Sequence, residues 1–89
     1  MSSEVDTVTY SELFALRIRQ LCSKNKITIN KLATMCGLKQ STIDNIIRGT
    51  SKNPKIRTLH IIATTFGMTL SEFLDFEELN NYSPDDEEP

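Results

Sequence analysis

The chain is poor in the features that mark membrane, secreted or metal-stapled proteins. Its 89 residues include two cysteines, one histidine, three glycines and three prolines. No apolar run approaches the roughly 18 residues from which a membrane span is read. The opening MSSEVDTVTY has no basic stretch followed by an apolar one, so no secretory signal is expected. Cys22 and Cys36 have no further Cys or His at zinc-ligand spacing. They read as small apolar core residues in a reducing, cytoplasmic setting. There is no nucleophile set beside a base, no carboxylate pair and no glycine-rich phosphate loop. Enzyme chemistry is therefore not expected, nor is a metal or a cofactor. Internal repeats and alternating β-branched runs are missing too, which excludes a sheet and leaves an all-α domain.

Positive charge is absent from both ends. All ten basic residues lie between Leu13 and Ser71, against a single acid, Asp44. Glu72 to Pro89 carries eight acids and no base, and three more acids precede Leu13. The net charge of −2 thus hides a strongly basic body, which suits a polyanionic partner.

What is present is helical punctuation. Thr9-Tyr-Ser-Glu12 fits a capping box that opens a first helix running to about Lys24. Phe14, Ile18, Leu21 and Cys22 share one face of it. Thr28 caps a short second helix with Leu32, Ala33 and Cys36 inward. Gly37, Leu38 and Lys39 turn the chain into a third helix, from Gln40 to a glycine stop at Gly49. Ile43, Ile46 and Ile47 are its buried side. A polar loop, Thr50–Lys55, precedes a fourth helix over about Lys55–Phe66, with Leu59, Ile62, Ala63 and Phe66 inward. Here His60 reads as a partly buried packing residue. Ile61 lies off the stripe, either as a scattered surface apolar residue or as part of a dimer contact. Thr69-Leu-Ser-Glu72 is a second capping box and opens a fifth helix, with Phe73 and Leu74 inward. The expected organisation is a flexible N-terminus over 1–8, one domain over 9–79 and a disordered acidic tail over 80–89.

Two short helices joined by a tight glycine turn cross steeply and push the second outward, at a size that fits a DNA major groove. That helix offers Gln40, Ser41, Asp44 and Asn45 to solvent, side chains able to hydrogen-bond base edges. Asp44 is ambiguous: it can accept from cytosine N4, repel phosphate or cap a neighbour.

Leu32-Ala33, Gly37, Ser41-Thr42-Ile43, Arg48-Gly49, Asn53-Pro54, Thr58-Leu59, Ala63, Phe66-Gly67, Leu70 and Glu72-Phe73-Leu74 form an ordered set across these helices. In this set the chain resembles the Cro and phage-repressor (XRE-type) helix-turn-helix family over about Leu16–Leu74. The resemblance implies a compact five-helix, lambda-repressor-like domain that binds operator DNA as a two-fold dimer. It places Gln40, Ser41 and Asn45 at base-reading positions, with Asp44 and Arg48 beside them. Lys52, Asn53 and Lys55 fall in the loop that holds phosphates, and Thr28 and Ile29 at the start of the second helix.

The chain departs from the family pattern at three points. Cys22 and Ile47 replace an Arg and a Glu, so an apolar contact is expected where an ion pair is common. Ile29 stands where a polar DNA contact is usual. Lys39 replaces a Ser or Thr cap, and its charge can reach a phosphate instead. The reading is a sequence-specific, double-stranded-DNA-binding transcriptional regulator, a repressor acting as a homodimer on a pseudo-palindromic operator. Two alternatives stay open. One is an antitoxin whose acidic tail binds a protein toxin. The other is a protein-interaction module that has lost DNA binding.

Overall fold

Three threonines decide where three of the helices begin. The computed structural model describes residues 9–84. Its helices are α1 (Tyr10–Lys24), α2 (Ile29–Cys36), α3 (Gln40–Ile47), α4 (Ile56–Thr65), α5 (Leu70–Leu74) and α6 (Glu77–Asn80), with no strand among the described residues. Thr9 accepts from the Glu12 amide at 3.2 Å, while Glu12 Oε1 accepts from the Thr9 amide at 2.9 Å. Thr69 and Glu72 repeat this reciprocal box at α5. Thr28 caps α2 by accepting from the Lys31 amide at 3.0 Å. Each hydroxyl satisfies an amide that the first turn of a helix leaves without a partner.

The turn between α2 and α3 depends on Gly37, held at φ 70. A left-handed residue ends α2, and a side chain there would be strained. Gly49, at φ 78, closes α3 in the same way, and the Thr50 and Ser51 amides fold back onto the Asn45 carbonyl.

The core gathers Leu13, Phe14, Ile18, Leu21 and Cys22 of α1 with Leu32, Ala33, Ile43, Ile46, Leu59, Ile62, Ala63 and Phe73. Ile47 packs against this cluster, so both halves of the replaced ion pair lie in apolar surroundings. Ile29 packs there too, which accounts for the loss of a polar residue at that position. Among the described residues Ser11 is the one polar residue buried with them. Its hydroxyl donates to the Ile46 carbonyl at 2.9 Å and ties α1 to the end of α3.

Arg17 forms a second tie. Its Nε donates to the Phe73 carbonyl and its Nη2 to the Glu72 carbonyl, both at 2.9 Å. The guanidinium lies 5.8 Å and 5.2 Å from the ring centroids of Phe73 and Phe76. It therefore satisfies the carbonyl end of α5 and covers two aromatic rings.

The structure differs from the sequence-based expectations in three places. The fourth helix begins at Ile56 and stops at Thr65, one residue inside each expected limit. His60 is exposed rather than partly buried. The inward stripe is Leu59, Ile62 and Ala63, which turns His60 outward with Arg57 and Thr64. A sixth helix follows the expected five, and the chain stays packed past the expected boundary at Asn80. Phe76 is buried, Leu79 and Tyr82 pack on the core, and the Tyr82 ring meets Tyr10 edge-on at 5.1 Å. Residues 1–8 and the acidic run 85–89 lie outside the described residues.

Candidate nucleic-acid interface

Helix α3 has one buried side and one open side. Ile43 and Ile46 are inaccessible, while Gln40, Ser41 and Asn45 are exposed and Asp44 is half-buried. The i, i+3 spacing that sends the isoleucines inward turns the polar set outward. All four base-reading candidates thus share one short helix.

They are not four independent groups. Gln40 Nε2 donates to Asp44 Oδ1 at 3.0 Å, one turn away. Thr50 donates its hydroxyl to Asn45, with both the side-chain Oδ1 and the main-chain carbonyl at 3.2 Å. The Asn45 amide group therefore faces outward with its NH₂ donors free of that contact. Ser41 has neither constraint.

The candidate phosphate contacts precede and follow this face in the chain. Lys39 is exposed at the N-cap of α3, and its side chain makes no cap hydrogen bond. Arg48, Lys52, Asn53 and Lys55 are exposed on the far side, and Lys55 is the N-cap of α4, again without a side-chain bond. Thr28 is exposed at the start of α2. Its oxygen accepts the cap hydrogen bond, which leaves the hydroxyl proton able to donate to a phosphate.

Between α3 and α4 runs a cleft of about 370 Å³, walled in part by Thr42, Asn45, Ser51, Pro54, Lys55 and Arg57. Arg57 is exposed and extends the basic rim beyond Lys55. In the sequence Arg57 enters only the charge balance, although its place in the first turn of a helix beside a basic loop is a usable signal. Arg17, counted in the same balance, is committed to the end of α5.

Of the two thiols, Cys22 lies in the core and Cys36 lines a surface pocket with Arg57, His60 and Ile61. Cys22 is buried and Cys36 half-buried, and both are free. Burial pushes both thiols above the ordinary range, and proximity to Cys36 adds to the effect on Cys22. Thiols held protonated in this way are poor nucleophiles and poor metal ligands.

Residues 17–78 match the family model of the Cro/C1-type helix-turn-helix DNA-binding domain. The chain belongs to this family. A solved structure, the prophage Lp1 protein 11, is similar to it with 34% sequence identity and a TM-score of 0.75. The likeness covers 83% of this chain and 97% of that one. No curated protein matches it. The Cro/C1-type match spans α2, the Gly37 turn and α3 together with α4, α5 and most of α1. Among the described residues no helix is long and apolar enough to cross a membrane.

Proposed function

We propose that this Cro/C1-type protein is a cytoplasmic transcriptional repressor that reads double-stranded DNA through α3. The observation that carries the proposal is the open face of that helix. Gln40, Ser41 and Asn45 stand exposed with Asp44 half-buried among them, and Lys39 precedes the helix while Arg48, Lys52 and Lys55 follow it. The basic residues supply affinity for any duplex, and the helix face supplies the choice of sequence. Thr28, Lys39, Arg48, Lys52, Asn53 and Lys55 hold phosphates. Gln40 meets adenine, with Asn45 and Ser41 refining the choice. Two copies address half-sites one helical turn apart, about 34 Å, on a pseudo-palindromic operator.

Selection of bound sequences from random duplex DNA tests this directly. A two-fold consensus is expected, bound with strong salt dependence. Gln40→Ala should lose about 1–3 kcal/mol on that consensus and relax one or two base pairs. Recovery of no consensus, with no salt-dependent shift on any duplex, would instead favour a protein-interaction module. Toxin capture that needs the acidic C-terminal segment, with DNA binding independent of it, would favour the antitoxin reading.

A further inference from the structure

Gln40 and Asp44 stand one turn apart on the open face of α3, with Gln40 Nε2 donating to Asp44 Oδ1 at 3.0 Å. An ionised carboxylate only accepts, so it fixes the amide with nitrogen toward Asp44 and Oε1 away. One of the two amide N–H groups is thereby occupied. A base approaching Gln40 meets one donor and one acceptor in a set order.

The purines differ at this point. In the major groove adenine presents the N7 acceptor beside the N6 amino donor, whereas guanine presents two acceptors, N7 and O6. A free glutamine can serve guanine by setting both N–H groups against N7 and O6. With one N–H held by Asp44 that arrangement is closed, and Oε1 turned toward O6 brings two acceptors together. Adenine suffers neither penalty.

We propose that Asp44 is a specificity-determining positioning residue, which locks the Gln40 amide into an adenine-reading order and rejects guanine at that base pair. The proposal rests on the reading that α3 lies in the major groove. A second observation supports it. Asp44 is the single acid between Leu13 and Ser71, placed among bases where an acid weakens attraction to phosphate. Its hydrogen bond to Gln40 gives that placement a use.

The test compares sequence selections by the full chain and by Gln40→Ala, Asp44→Ala and Asp44→Asn. The base pair whose preference flattens in Gln40→Ala is the one Gln40 reads. Both Asp44 variants remove a negative charge, so both should bind all duplexes more tightly at low salt. Only Asp44→Ala should narrow the adenine-over-guanine ratio at the Gln40 pair, by about fivefold or more. Asp44→Asn keeps an acceptor at Oδ1 and should keep most of the ratio. Alanine is the better helix former, so the fold is retained, and unchanged melting by circular dichroism checks this. The lock is overturned if Asp44→Ala leaves the ratio intact. It is also overturned if both variants narrow it equally, since the cause would then be charge. A change confined to a different base pair would make Asp44 a direct reader of cytosine and overturn it as well. A chain that selects no sequence at all removes the underlying reading. One that selects a sequence yet prefers guanine at the Gln40 pair removes the lock alone.

Discussion

The first five helices of this protein start in two different ways. α1, α2 and α5 begin at Thr9, Thr28 and Thr69, each hydroxyl bonded to a first-turn amide. α3 and α4 begin at Lys39 and Lys55, with no side-chain cap at all. The first group builds the frame and the second flanks the polar face. A threonine cap is worth about 1 kcal/mol to a helix, and a lysine in its place gives that up. What the lysines leave behind is first-turn amides without a side-chain cap and positive charge at two helix starts, the electrostatics that favour an anion. The two groups differ in what the N-cap residue supplies: a hydrogen bond to the first turn at Thr9, Thr28 and Thr69, and an exposed positive charge at Lys39 and Lys55.

The strongest challenge to that division is Arg17→Ala. If Arg17 belongs to the frame, losing its two carbonyl hydrogen bonds and its cover over Phe73 and Phe76 should destabilise the fold by about 2–3 kcal/mol in urea unfolding. The salt slope of DNA binding should stay as it was. An unchanged midpoint with a shallower slope would move Arg17 to the reading side.

Lys39→Ser exchanges the two modes at one site. The new hydroxyl should add about 1 kcal/mol of stability, while DNA affinity falls with the lost charge. Stability and affinity rising together would mean that Lys39 takes no part in binding.

Lys52→Ala and Lys55→Ala should each lower the salt slope by about 0.9 and weaken all sequences alike. Thermal stability should hardly move, because both side chains are exposed. A loss limited to the selected sequence would indicate a base contact instead.

The smallest expected effect is from removing Asp85 to Pro89. Four negative charges leave with that segment, so affinity should rise modestly at low salt, and the gain should vanish as salt approaches physiological strength. A gain that persists at high salt would require a direct contact rather than a long-range field.

The local signals in the sequence were sufficient for much of this. Caps at Thr9, Thr28 and Thr69 announce helix starts within four residues, and the stripes through Ile18, Ile43 and Ile62 repeat at helical spacing. Features that join distant positions were not legible. Arg17 meets carbonyls 55 and 56 residues away, and Ser11 meets one 35 residues away. α6 has only four residues, too few to show a period, and Tyr82 falls in the polar run from Asn80 whose composition points to a tail. His60 was misjudged because apolar neighbours in sequence are not neighbours on a helix face. On α3 the outward residues were legible, but not the pairing of Asn45 with Thr50, whose i, i+5 spacing crosses the helix end.

The edge-on meeting of Tyr10 and Tyr82 has a topological consequence. The start of the first helix and the turn after the last meet at one corner, so whatever precedes Tyr10 and whatever follows Tyr82 share a point of departure. Joining those two points with a short linker and opening the chain in the exposed Lys52-Asn53 loop would give a circular permutant with the same helices in a new order. Fusions at either end would likewise hang from a single place on the protein, close to where Ser11 grips the last turn of α3.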